Sequence, residues 1–143
     1  MALTTFGAIM GFAADMAAKT CEYYKELAGR ATDAGLKGSI EELAREEAKI
    51  RARLEEMRRL NVTEMILEYV SGLHDEDYNI NVDISDSPGD IRVLEAAVAL
   101  EEREKRFFLD ASDKIPLPEV ARYFRKIVAK KEQNLSRFRA IPV

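Results

Sequence analysis

The chain has 143 residues, 47% hydrophobic and 34% charged, which suits a single core-bearing domain over residues 1–143 and leaves little room for a second. Its 22 Lys and Arg against 26 Asp and Glu give a formal charge of −4, which argues against a nucleic-acid-binding domain, because that needs a basic face. One cysteine, Cys21, and one histidine, His74, exclude an internal disulfide, a CxxC metal knuckle and every site that needs two imidazoles.

The first predicted helix runs from Thr4 to Gly29. Phe6, Ile9, Ala13, Met16, Thr20, Tyr23 and Leu27 recur at three- and four-residue steps, as one helical face requires. Its first half is apolar on several sides, so it is central or covered by a second subunit, and a homodimer is the expected assembly. Gly7 and Gly11, four apart, allow a close helix contact. The most apolar stretch, Leu3 to Ala14, falls short of the roughly 20 residues a membrane span needs. The first lysine is Lys19, so the basic start of a secretory signal is missing. A soluble cytoplasmic protein is expected, with no membrane and no nucleic acid among its partners.

The second helix is predicted from a capping box at Ser39-Ile40-Glu41-Glu42 to about Leu60, with a stripe of Ile40, Leu43, Glu47, Ile50, Leu54 and Met57. A long connection follows. Thr63 to Leu73 reads as a short helix, and His74 to Asp86 as an acidic irregular crossover in which Ile80, Val82 and Ile84 alternate. Ser87-Pro88-Gly89-Asp90 is a start signal for the third helix, which runs to about Asp113 with Leu94, Val98, Glu101, Phe108 and Ile115 in its stripe. Pro118 opens the fourth, which runs to about Arg137 with Val120, Phe124, Val128, Glu132 and Leu135. Connections in the order short, long, short predict an all-α four-helix bundle with one crossover between helices 2 and 3.

Three glutamates occupy stripe positions near the middle of their helices: Glu47, Glu101 and Glu132. An unpaired carboxylate in a core costs several kcal/mol by order of magnitude. Such a group therefore needs a shared cation, a proton, or a basic partner such as Arg51, Lys105 or Lys131. Tyr24 is placed to hydrogen-bond one of them. Cys21 reads as a small buried hydrophobe and His74 as a loop residue. Arg51, Arg53, Arg58 and Arg59 interleave with Glu55 and Glu56 as a solvated face. Arg122, Arg125, Lys126, Lys130, Lys131, Arg137 and Arg139 make the fourth helix basic, a surface open to an acidic partner.

The same residues carry a family resemblance. Glu22-Tyr23-Tyr24-Lys25-Glu26-Leu27-Ala28 resembles the Glu-Phe-Tyr-Lys-Glu-Leu-Ala ending of the first helix in the rubrerythrin-related branch of the ferritin-like superfamily. Leu43-Ala44-Arg45-Glu46-Glu47-Ala48-Lys49-Ile50 resembles its second-helix Leu-Ala-x-Glu-Glu-x-x-His. Ala97 to Leu109 resembles the third-helix repeat of the first, and Val128 to Leu135, with Glu132-Gln133-Asn134-Leu135, the second Glu-x-x-His. The resemblance covers essentially the whole chain and implies a ferritin-like bundle. Active members hold two irons with a Glu from each of two helices and a Glu-x-x-His from each of the others. By that pattern Glu47, Glu101 and Glu132 match metal-ligand positions, while Ile50 and Leu135 replace the two histidines and Ala17 replaces the first-helix Glu. The paired CxxC motifs of a rubredoxin module are missing, so that electron donor is expected to be absent.

The implied function is a rubrerythrin-like bundle that has lost its di-iron centre, holds no cofactor, is not an enzyme, and serves a structural, interaction or regulatory role. The alternative is a residual site for iron or another divalent cation on Glu47, Glu101 and Glu132, with di-iron-type oxidoreductase or peroxide-related activity.

Overall fold

A computed structural model describes residues 1–61, 70–79 and 89–141. It is all-helical in its regular structure, a four-helix bundle of α1 (Phe6–Arg30), α2 (Ala34–Leu60), α3 (Asp90–Ser112) and α4 (Pro118–Arg139). A short 3₁₀ turn, Asp75–Tyr78, lies in the α2–α3 connection. No helix among the described residues is long and apolar enough to cross a membrane.

The helix ends follow local chemistry. The Thr5 side chain accepts from the Ala8 amide at the start of α1. α2 begins five residues before the predicted capping box, because Asp33 takes the cap and its carboxylate accepts from the Leu36 amide at 2.8 Å. Ser39 is therefore inside the helix, and so are Gly35 and Gly38. α3 starts at Asp90 after Gly89, whose φ of 113° only glycine adopts without strain. Pro118 opens α4 as expected.

The Asp90 carboxylate accepts from the Thr32 amide at 2.8 Å, the Thr32 hydroxyl at 3.0 Å and the Asp33 amide at 2.9 Å. The start of α3 is thus tied to the α1–α2 turn, beside the start of α2. α2 and α3 therefore run in the same direction, and the end of α2 and the start of α3 lie at opposite ends of the bundle. Residues 70–73 are not helical, contrary to the expected helix ending at Leu73. Their backbone bonds to the chain start instead, Val70 N–H to the Thr4 carbonyl and Leu3 N–H to the Leu73 carbonyl, both at 2.8 Å. The rest of that predicted helix, the alternation at Ile80, Val82 and Ile84, and Ser87 and Pro88 lie outside the described residues.

Burial divides the core into two apolar clusters along the bundle axis. One gathers the first half of α1, the second half of α2, the end of α3 and the start of α4, with Phe107, Phe108 and Phe124 at its middle. Phe108 and Phe124 meet edge to face at 4.9 Å. The other gathers the second half of α1, the first half of α2, the start of α3 and Phe138 of α4. The apolar half of α1 is thus buried within one chain, with Phe6, Ile9, Met10 and Ala13 at 0–1% exposure. That removes the reason the sequence offered for a second subunit over this helix. Between the clusters, at the same height on all four helices, lies a polar layer of Thr20, Glu47, Glu101, Glu104, Lys131 and Asn134.

Candidate functional site

The layer is centred on the ammonium of Lys131. Its Nζ donates to Glu47 Oε1 at 2.9 Å and to Glu101 Oε1 at 2.8 Å, and lies 3.3 Å from Glu104 Oε2. All four side chains are at most 1% exposed. Glu101 is the best satisfied of the carboxyls. The Tyr24 hydroxyl donates to its Oε1 at 2.6 Å, and the Asn134 amide donates to its Oε2 at 3.1 Å and to Glu46 at 3.2 Å. Arg103, half-buried, donates to the Thr20 hydroxyl at 2.6 Å on the flank of the layer.

Helical phase explains which residues reach this centre. In α3 the inward positions Ala97, Glu101, Glu104, Phe108 and Ala111 advance by alternating steps of four and three, which holds one face at 3.6 residues per turn. In α4 the same alternation runs Phe124, Val128, Lys131, Leu135, Phe138. The expected stripe Val120, Phe124, Val128, Glu132 takes three steps of four, each drifting about 40° around the helix. Glu132 is consequently carried off the buried face. Its side chain is 58% exposed and stands 3.7 Å from Lys105, so the expectation that it joins Glu47 and Glu101 in the core does not hold. Glu104 takes the third carboxylate position. The spacing held the signal for it, since Glu104 is three residues after Glu101 and four before Phe108.

Three carboxyls and one ammonium removed from water cannot all ionise at low cost. Burial, then the adjacent Glu104 charge, pushes Glu47 well above the usual carboxyl range, and the Lys131 ammonium only partly offsets them. Burial also opposes ionisation of Glu104. There the Lys131 charge first, then the nearby polar groups of Glu47 and Thr20 and the Arg103 charge, carry the carboxyl below its usual range. Glu47 is thus held toward its protonated form and Glu104 toward its ionised form, while Glu47 Oε2 and both Glu104 oxygens have no hydrogen-bond partner among the described residues. Lys131 loses by burial but gains more from Glu47, Glu104 and Glu101, so it remains charged well above the ordinary lysine value. Burial and the three carboxyls drive the Tyr24 phenol well above its ordinary range, which keeps it a hydrogen-bond donor.

The donor set does not fit a di-iron centre. Ile50 and Leu135, where the sequence resemblance would place two histidines, are buried hydrophobes at 8% and 2% exposure, and Ala17 is fully buried. Iron at a carboxylate-bridged site needs imidazole to complete its coordination, and His74 is exposed in the α2–α3 connection, far along the chain from the layer. Among the described residues no group of three His, Cys, Asp or Glu side chains is arranged to hold a metal ion. The converging carboxyls Glu47, Glu101 and Glu104 meet on an ammonium that fills the space between them.

The remaining residues follow their expected roles. Cys21 is buried, with its thiol 3.3 Å from the Ala44 carbonyl. Arg51 pairs with Glu55 at 3.1 Å and Arg53 with Glu56 at 2.9 Å on the exposed face of α2. Gly11 lies under the Arg58 guanidinium, 3.3 Å from where a Cβ would stand. Compared with known proteins, the chain matches no family model, no curated sequence and no solved structure.

Proposed function

We propose that this chain is a rubrerythrin-like four-helix bundle whose metal centre has been replaced by an internal ion cluster, and that it serves as a structural or interaction module. Lys131 carries the reading. Its ammonium supplies at mid-bundle the positive charge that metal ions supply in the family the sequence resembles, and it satisfies the same kind of inward glutamates. The parallel course of α2 and α3, with one long crossover, agrees with a ferritin-like arrangement.

The chemistry of the layer supports a non-enzymatic role. A catalytic group must touch its substrate, and Glu47, Glu101, Glu104 and Lys131 are sealed from solvent. A buried ion cluster of this kind adds little net stability over an apolar core, but it sets which helices meet and in what register.

Elemental analysis of untagged protein after incubation with Fe²⁺, Mn²⁺ and Zn²⁺ tests the reading. Near-zero retained metal is expected. Stoichiometric metal that is lost in Glu47→Ala would overturn it in favour of a residual metalloprotein, and oxygen and peroxide assays would then follow.

A further inference from the structure

The surface of α4 has a property the buried layer does not use. With Lys131 buried, its exposed face carries six Lys and Arg against Glu119 and Glu132, in a chain whose net charge is −4. Several exposed cations lie beside acids: Lys25 beside Glu22, Arg30 beside Glu26 and Arg51 beside Glu55 on α1 and α2, and Arg137 beside Glu42 and Arg139 beside Glu102 at the end of α4. Among the described residues, Arg122, Arg125, Lys126 and Lys130 have no carboxylate within ion-pair reach.

Arg122 and Lys126 stand on the rim of a groove of about 410 Å³ between the second half of α2 and the first half of α4. Arg53 lines the α2 side, with Met57, Leu60 and Tyr123 supplying apolar surface. Leu60 is 68% exposed beside Met57 and Tyr123. Glu119 is the single carboxylate lining the groove.

We propose that this groove docks an acidic amphipathic helix of a protein partner. Arg122, Lys126 and Lys130 stand at intervals of four residues, about 6 Å apart along the axis. Glutamates repeating every fourth residue on a facing helix match that spacing, and an adjoining apolar face meets Met57, Leu60 and Tyr123. A small anion fits less well, because the cations are spread along about 12 Å rather than converging on one point. A nucleic acid is opposed by the net negative charge of the whole chain. The groove lies outside the buried layer, so its test does not depend on whether that layer takes up metal.

The experiment is fluorescence anisotropy of a labelled helical peptide with glutamate at every fourth position and leucines on the neighbouring face, titrated with the full chain. Saturable binding is expected, weakening about tenfold as salt rises from roughly 50 to 300 mM. Arg122→Glu combined with Lys126→Glu is expected to weaken it at least about tenfold with an unchanged melting temperature. Leu60→Asn should weaken it while leaving the salt dependence intact, and Lys19→Glu on the exposed face of α1 should leave it unaltered. Absence of saturable binding, insensitivity to the double charge reversal, equal binding of a glutamate peptide without leucines, or full competition by inorganic phosphate would each overturn the proposal.

Discussion

Glu47 and Glu101 both accept from Lys131, yet they make opposite demands on a substitution. Glu47 is held toward its protonated form and accepts from Lys131 at Oε1, and glutamine, an uncharged side chain of the same shape, keeps that acceptor. Its folded pKa is raised, so its contribution to stability is full below the usual glutamate range near pH 4–5 and is lost as pH rises toward the folded value. Glu47→Gln is therefore expected to match the native chain within about 1 kcal/mol in mild acid and to surpass it as pH rises. Urea unfolding at several pH values reads this directly, and a variant that falls behind at neutral pH would show that Glu47 is ionised. Glu101 accepts at both oxygens, and an amide there would set two donors against each other at Asn134. Glu101→Gln is expected to cost about 2–4 kcal/mol. Lys131→Met, which strands the carboxyls, is expected to cost about 3–5 kcal/mol, measured the same way. The sequence exposed Glu47 and Glu101, because each follows from its own helix's period, and it named Tyr24 as a hydrogen-bond partner although the α1 stripe ran through Tyr23, which is only half-buried where Tyr24 is fully buried. It misassigned Glu132 because steps of four accumulate phase error, and it named Lys131, the neighbour that takes the inward position, only as one candidate partner beside Arg51 and Lys105.

At the scale of elements, helix identity was legible and helix starts were partly so. Pro118 and the Gly89–Asp90 pair marked α4 and α3 through restrictions their own backbones impose. The start of α2 was misread because Ser39-Ile40-Glu41-Glu42 has the local form of a capping box, whereas the Asp33 cap holds the chain helical from Ala34 through Gly35 and Gly38. Two glycine substitutions separate these cases. Gly38→Ala meets nothing within 4 Å inside α2, so it is expected to stabilise the fold by about 0.5–1 kcal/mol. Gly89→Ala also meets nothing, but φ of 113° makes any side chain strained there, and a loss of about 1–2 kcal/mol is expected. Thermal melts of the two variants should move in opposite directions. Asp90 links elements instead of capping one. Backbone hydrogen bonds from Thr32 lead the causes that hold its carboxyl below the usual range, so the stability it contributes is present above that range and is lost as pH falls through the folded value. In Asp90→Ala the acid limb of the pH–stability curve should flatten.

Over the whole molecule, two apolar clusters carry the burial and one polar layer carries the recognition between helices. Tyr24 on α1 and Glu47 on α2 meet Glu101 on α3 and Lys131 on α4 only when the two helical hairpins dock in a single register. The amino-acid sequence by itself determined the four helices, the long crossover and the inward carboxyls at Glu47 and Glu101, because periodicity, caps and prolines act within a few residues of themselves. Only the tertiary structure decided what neutralises those carboxyls. Lys131 is 84 residues from Glu47 and 30 from Glu101 along the chain, and their pairing depends on the relative rotation of three helices. No local pattern records that rotation. It is set by how the clusters of Phe107, Phe108 and Phe124 at one end and Leu27, Ile40 and Phe138 at the other pack together, which brings the ammonium between the carboxyls and leaves Glu132 outside.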